Sequence, residues 1–183
     1  MPSYIRSNGE LNLELIFNEL RDINNSLDDA AAERMSREVI ECRGKIVGLG
    51  AGRMGYSLQA FVMRLSHLGY LAYMLGDTSV PRIGVGDLVL INSSSGETPS
   101  VCLLAEIAKK NGAKVILLTS GRGSTLAKLA DEVIHYKKTQ SAQLMKTLYE
   151  QFSYLFFDSC ASYIAMNGNL SIKEIETNHS ILE

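Results

Sequence analysis

The sequence predicts an α/β fold in which helices cover both faces of a parallel β-sheet. Five short apolar runs of strand length recur along the chain, and helical segments or loops separate them, an order typical of such sheets. Within the runs, apolar residues follow one another without alternating with polar ones, which indicates strands buried on both faces. We expect right-handed crossovers between these strands.

The first part of the chain predicts two amphipathic helices, because apolar residues recur at three- and four-residue spacing on both sides of a polar hinge around Asp28. These repeats occupy residues 11–23 and 32–40. Strands are expected at residues 45–49, 71–75, 88–91, 115–118 and 132–135. Later helices are expected at residues 56–68, 99–111, 126–130 and about 143–166. Ser171 and Glu174 have the spacing of a capping box and predict a last short helix.

Composition limits the classes of function. The chain has 183 residues, and 18 Lys and Arg against 20 Asp and Glu give a net charge of −2 at pH 7, so nucleic acid is not expected as a partner. Hydrophobic residues make up 46% of the chain, enough for a folded globular protein. We expect a single domain over residues 1–183, with a helical lead-in at 9–42, a sheet core at 45–136, and C-terminal helices and a tail at 142–183.

Export and membrane insertion are not expected. The first ten residues are polar where a signal peptide needs an apolar run, and no stretch of about 18 uncharged apolar residues could form a transmembrane helix. Cys42, Cys102 and Cys160 lie far apart and lack the spacing of a zinc or redox motif. These features predict reduced, buried thiols in a cytoplasmic protein.

The loop after the first strand contains Gly50, Gly52 and Gly55 in a GxGxxG pattern. Asp77 follows at the distance typical of a dinucleotide-binding fingerprint, which favours a nicotinamide cofactor. Two observations disfavour a nicotinamide cofactor. Two helices precede the first strand, and the chain leaves no room for a separate substrate domain. The alternative is a tight turn that needs positive φ before a helix and binds no ligand.

The loop after the third strand, residues 92–98, reads NSSSGET. Several hydroxyls and backbone N–H groups at the start of a helix favour an anion, so a nearly uncharged protein can still bind a phosphorylated metabolite. The alternative is an ordinary helix cap, for which one Ser or Thr would suffice. Ser120, which follows the fourth strand, adds a hydroxyl that a simple turn also explains.

These loops resemble those of the SIS (sugar isomerase) domain family, and nearly the whole chain is similar to the 6-phospho-3-hexuloisomerases within it. The similar segments are residues 50–53, 63–69, 93–98, 124–131, 147–151 and 178–183. The resemblance implies a three-layer αβα, flavodoxin-like fold with a five-stranded parallel sheet, a homotetramer, and no metal or organic cofactor. It also implies conversion of D-arabino-hex-3-ulose 6-phosphate to D-fructose 6-phosphate through an enediol, in the ribulose monophosphate pathway of formaldehyde assimilation or in pentose supply.

The resemblance further implies that Glu150 is the catalytic base, that His179 is its acid-base partner, and that Ser93, Ser95 and Thr98 hold the phosphate. Glu150 lies in an apolar segment, where partial burial would raise its pKa towards the working pH, unless it is a glutamate on the helix surface. A tail histidine is often simply solvated, although in an oligomer the tail could reach a neighbouring subunit's site.

Gly52 and Arg53 are further candidate substrate contacts, although Arg53 could instead form a salt bridge. Glu97 is a candidate second acid-base group or a helix cap. His67 is expected in the core. Met54 stands where the family usually has serine, and residues 145–147 read MKT where a small residue is commoner, which leaves open an isomerase of a related ketose or aldose phosphate. A non-catalytic sensor of a sugar phosphate is the alternative from another class.

Overall fold

A five-stranded parallel sheet forms the centre of the computed structural model, which describes residues 12–28, 30–168 and 171–179. Its strands are β1 (Ile46–Gly50), β2 (Ala72–Met74), β3 (Leu88–Asn92), β4 (Lys114–Thr119) and β5 (Glu132–His135). They lie in the order β2-β1-β3-β4-β5, and every neighbouring pair is parallel. The predicted fold class is confirmed, and the order reverses between β1 and β3, where sheets of this kind bind ligands.

Alternate residues of each strand face two separate hydrophobic cores, as the period-2 geometry of a strand requires. On one face Ile46, Leu90 and Ile116 pack against four helices, which are α1 (Leu13–Asn24), α2 (Ala31–Glu41), α3 (Arg53–His67) and α6 (Thr147–Asn167). On the other face Val47 and Val89 pack against α4 (Pro99–Lys110) and α5 (Thr125–Leu129). A short helix, α7 (Ile172–Thr177), follows α6.

Helices α3 and α6 pack in parallel, because both begin at the edge of the sheet where the strands end. Residues one turn apart along α3 meet residues one turn apart along α6. Ser57 and Ser153 lie 2.9 Å apart between their hydroxyl oxygens, and the rings of Phe61 and Phe157 stack with centroids 5.0 Å apart. This packing holds the N-terminal turns of the two helices side by side.

Two helix starts differ from prediction. Helix α3 begins three residues earlier than expected, directly after Gly52, whose φ of 55° forms the turn. Helix α6 begins at Thr147 rather than near residue 143, because Met145 has a φ of 52° and the chain turns there. The predicted capping box at Ser171 and Glu174 is confirmed. The predicted lead-in before residue 12 and the tail after His179 lie outside the described residues.

The cysteines are all free, but the prediction of three buried thiols is wrong for two of them. Cys160 is buried, and this burial raises its pKa to about 12. Cys42 and Cys102 are only half-buried, because they lie at the end of α2 and on the flank of α4. Among the helices of the described residues, none is long and apolar enough to cross a membrane.

Candidate functional site

The turn between β1 and α3 explains its glycines by geometry. Gly52 has positive φ, and a Cβ atom added to Gly55 would lie 2.8 Å from the carbonyl oxygen of Gly50. Such an approach excludes any side chain at Gly55. The tight-turn interpretation therefore accounts for the GxGxxG pattern without a dinucleotide.

A small hydroxyl-rich pocket lies beside this turn, between the loops that follow β1 and β3. It has a volume of about 140 Å³ and is lined by Ala51, Met54, Asn92, Ser93, Ser94, Ser95, Thr98 and Lys146. We call it the hydroxyl pocket. Sites for whole drug-sized ligands span about 300 Å³ or more, so this pocket suits one phosphoryl-sized group. The structure thus brings Ser93, Ser95 and Thr98, the expected phosphate-binding residues, together around one pocket.

The loop around the hydroxyl pocket is held by its own side chains. The hydroxyl of Ser93 accepts a hydrogen bond of 3.2 Å from the N–H of Gly96, and that of Ser95 accepts one of 3.3 Å from Glu97. Ser120 does not line the pocket; its hydroxyl donates a 2.8 Å hydrogen bond to the carbonyl of Ser94. Ser120 therefore braces the loop from the neighbouring strand.

A second pocket, of about 350 Å³, lies between the first turns of α3 and α6 and contains the predicted base. It is lined by Arg53, Tyr56, Ser57, Glu150, Gln151 and Tyr154. We call it the carboxylate pocket. Glu150 forms an ion pair with the Nε of Arg53, and its side chain is 13% exposed whereas that of Arg53 is 68% exposed. Glu150 therefore lies under an exposed guanidinium rather than open on the helix surface.

Gln151 adds a polar group to the carboxylate pocket that the sequence did not single out. Its amide oxygen is buried and has no hydrogen-bond partner among the described residues. A buried acceptor without a partner is costly in a folded protein and is typical of positions that meet a ligand. Gln151 is thus a further polar side chain beside Glu150 in the carboxylate pocket.

A buried polar network underlies both pockets, and its centre is Asn92 at the end of β3. Asn92 is 0% exposed, and its amide nitrogen donates to the carbonyl of Met54 at 3.0 Å and lies 2.9 Å from the hydroxyl of Ser57. Its amide oxygen accepts a hydrogen bond from the hydroxyl of Tyr149, and burial raises the pKa of Tyr149 well above its usual value. The network ties the first turns of α3 and α6 to the sheet.

Glu97 faces away from both pockets. Its carboxylate accepts hydrogen bonds of 2.8 Å from the N–H and from the hydroxyl of Thr125, and these bonds lower the pKa of Glu97. It therefore caps the first turn of α5. Sequence reasoning considered capping of α4, the next helix in the chain, because it could not place α5 against this loop.

His179 lies at the opposite end of α3 from the carboxylate pocket. Its ring packs against that of His67 with centroids 4.6 Å apart, and the Asn178 side chain donates a 3.1 Å hydrogen bond to the carbonyl of His67. His67 is 6% exposed, as expected of a core histidine. Helix α3 has 15 residues, so its ends are about 20 Å apart. Within one chain, His179 and Glu150 do not form a single site.

Comparisons with known proteins agree with the observed fold. The model of the SIS domain family matches residues 39–157. A 3-hexulose-6-phosphate isomerase of Mycobacterium gastri is 33% identical over 94% of this chain and 90% of its own length, and one of Bacillus subtilis is 33% identical over 92% and 95%. A hypothetical protein from Methanococcus jannaschii, whose crystal structure infers a molecular function of 3-hexulose-6-phosphate isomerase, superposes with a TM-score of 0.84 at 30% identity and covers 93% of this chain and 98% of its own.

Proposed function

The chain belongs to the SIS domain family, and we propose that within it the protein converts D-arabino-hex-3-ulose 6-phosphate to D-fructose 6-phosphate. That it is a phosphosugar isomerase follows from the family and from relatives named 3-hexulose-6-phosphate isomerase. The observation that carries the specific proposal is the pairing of two pockets at one sheet edge, one rich in hydroxyls and one containing Glu150. With this reaction we propose a cytoplasmic role in the ribulose monophosphate pathway.

The reaction moves a carbonyl from C3 to C2 of the sugar chain. Glu150 removes the proton from C2 to give a C2–C3 enediol and returns a proton to C3, which needs a carboxylate within reach of both carbons. A proton also passes from the oxygen on C2 to the oxygen on C3, and this is the role proposed for His179. Atoms and electrons balance without any further reactant.

The electrostatics of the carboxylate pocket favour the enediolate that forms during this transfer. Arg53 carries the cation beside Glu150, and the first turns of α3 and α6 direct their backbone N–H groups towards the same edge. In the hydroxyl pocket, Ser93, Ser95 and Thr98 hold the phosphate at the start of α4, with Gly52 allowing close approach of the backbone. The phosphate thereby fixes where the sugar chain enters.

We propose that His179 from a second copy completes each site in a homotetramer. The separation of about 20 Å along α3 supports this arrangement, because one chain cannot bring His179 to its own Glu150. Exposed apolar side chains support association as well. On α1 and α6 they are Leu13, Phe17, Tyr154, Leu155 and Met166. Sedimentation should give four times the 20.1 kDa mass of the chain.

A coupled assay tests the reaction. Hexulose-phosphate synthase generates the substrate in place, and phosphoglucose isomerase with glucose 6-phosphate dehydrogenase reports fructose 6-phosphate. Glu150→Gln should abolish turnover but keep binding of fructose 6-phosphate, whereas Asp158→Asn, an exposed carboxylate on the same helix, should keep both. Full turnover by Glu150→Gln would refute the role of Glu150 as base. If the folded wild-type protein binds fructose 6-phosphate but shows no turnover, the protein is a sensor and not an isomerase.

The same assay tests the sharing of sites between copies. Glu150→Gln and His179→Ala should each be inactive alone. Mixed, unfolded and reassembled together, they should regain a fraction of wild-type activity, because some hybrid sites then carry both wild-type residues. Absence of any recovery in correctly assembled mixtures would place both residues in one chain's site and contradict the proposal.

A further inference from the structure

Lys146 lies at the entrance of the hydroxyl pocket, where the sequence did not mark a functional residue. It is the residue before the first turn of α6, and it lines both this pocket and a neighbouring one of about 370 Å³. Its side chain is exposed, and its ammonium group forms no ion pair with any residue that the structure describes. Lys146 is thus a cation held at a pocket of hydroxyl groups.

Lys146 is unfavourable for the helix that it precedes. The position before a helix favours Ser, Thr, Asp or Asn, whose side chains accept a hydrogen bond from the first turn, and Lys146 makes no such bond. A positive charge is also disfavoured near the N-terminus of a helix, here one of 21 residues. The preceding Met145 has a φ of 52°, the only positive φ of a residue other than glycine in the described parts of the chain.

Unfavourable local choices next to a pocket are typical of positions kept for function. At this pocket an electrostatic role fits, because Lys146 is the only charged residue among the described residues that line it. Two other cations line neighbouring pockets instead. Arg53 is engaged by Glu150 in the carboxylate pocket, and Lys138 lines the pocket of about 370 Å³. Among the pocket's described lining residues, a phosphate would therefore find neutral hydrogen-bonding groups and one full positive charge, that of Lys146.

We propose that Lys146 is the charged partner of the substrate phosphate and the residue that makes this site selective for phosphorylated over unphosphorylated sugars. A lysine ammonium suits this role, since it acts as a point charge with three donors on a flexible stem and tolerates small shifts of the phosphate. The inference deepens the proposed function and rests on it for the identity of the substrate.

The test replaces the cation by a residue that the helix prefers. Lys146→Ser should raise KM for hex-3-ulose 6-phosphate about tenfold, which corresponds to about 1.4 kcal/mol, and should change kcat by less than about twofold. It should weaken binding of fructose 6-phosphate and of inorganic phosphate by a similar factor. It should also raise the Tm of the ligand-free protein, because it supplies a cap and removes an unfavourable charge.

Two matched variants make the result specific. Lys137→Ser removes the same charge from the segment after β5 but lines neither pocket, so it should leave KM and phosphate affinity unchanged. Lys146→Arg keeps the charge and should restore most of the affinity. Unchanged affinity in Lys146→Ser, or an equal loss in Lys137→Ser, would overturn the assignment.

The inference and the proposed reaction can fail separately. If the wild-type protein does not turn over the ketose phosphate, but binds fructose 6-phosphate and inorganic phosphate with an affinity that depends on Lys146, then the reaction is refuted and the role of Lys146 stands. If turnover is observed and Lys146→Ser has wild-type KM and phosphate affinity, the reaction stands and the role of Lys146 is refuted.

Discussion

Replacing Asn92 by alanine should disrupt the proposed active site without removing any group proposed to react with the substrate or to hold its phosphate. The substitution removes the donor to the Met54 carbonyl, the donor that the Ser57 and Ser153 hydroxyls share, and the acceptor of the Tyr149 hydroxyl. A hydrogen bond contributes about 0.5–1.5 kcal/mol net, and a buried group left without a partner costs about 1–3 kcal/mol. Three lost bonds would give an upper value near 5 kcal/mol.

Two alternative contacts in the structure reduce that value. Ser57 still contacts Ser153 at 2.9 Å, and the Tyr149 hydroxyl lies 3.0 Å from the carbonyl of Leu118. We therefore expect Asn92→Ala to lower the free energy of unfolding by about 2–4 kcal/mol, a large part of the 5–15 kcal/mol typical of a domain. Because the first turns of α3 and α6 then lose their common anchor, kcat should fall on the order of 10- to 100-fold.

Urea unfolding followed by circular dichroism measures the first quantity, and the coupled assay measures the second at a temperature where the variant is folded. Tyr149→Phe is the matched variant, since it removes only the hydroxyl that contacts Asn92 and the Leu118 carbonyl and keeps the ring that stacks on Tyr136. It should cost about 1 kcal/mol. A change in unfolding free energy below about 0.5 kcal/mol for Asn92→Ala, or unchanged kcat, would refute the idea that this network positions the site.

Two further predictions concern carboxylates outside the pockets. Glu19 is buried and accepts hydrogen bonds from residues 141–143. Glu19→Ala should therefore lower the free energy of unfolding by about 3 kcal/mol. It should also raise KM in the coupled assay, because the segment before α6 then loses these bonds. Burial by itself raises the pKa of Asp87, but hydrogen bonds from Lys45 and Gly84 outweigh this effect and hold the pKa below 3.8. The ionised carboxylate should therefore stabilise the fold above about pH 4, and this stabilisation should be lost as the pH falls further. In urea unfolding between pH 6 and pH 2, Asp87→Asn should lose less unfolding free energy than the wild type.

Sequence patterns predicted the three central strands well because β1, β3 and β4 are buried on both faces, which makes them apolar along nearly their whole length. The edge strands β2 and β5 are only partly buried. The patterns failed at the start of α6, because Leu144 and Met145 continue the apolar pattern of the helix towards its N-terminus. What stops the helix there is the backbone conformation of Met145, a residue type that rarely adopts positive φ. Local sequence contains no signal for such a turn.

The residues that line the hydroxyl pocket also differ in how far the sequence predicts their grouping. The hydroxyls of Ser93, Ser95 and Thr98 are neighbours in sequence, so their grouping could be predicted from one loop. Lys146 and Asn92 acquire their roles from segments that meet only in the folded chain. Asn92 did carry one usable signal, since an amide that ends an apolar strand must find buried partners.

Helix α3 connects the parts of the proposed site that lie far apart in one chain. Its first residue, Arg53, pairs with Glu150, and its last residue, His67, supports the ring of His179. If His179 acts on a neighbouring copy, each α3 contributes to two sites, with its N-terminus in its own and its C-terminus in the next. A change in the packing of α3, such as at the stacked Phe61 and Phe157, would then move both ends together and disturb the base in one site and the proton carrier in another.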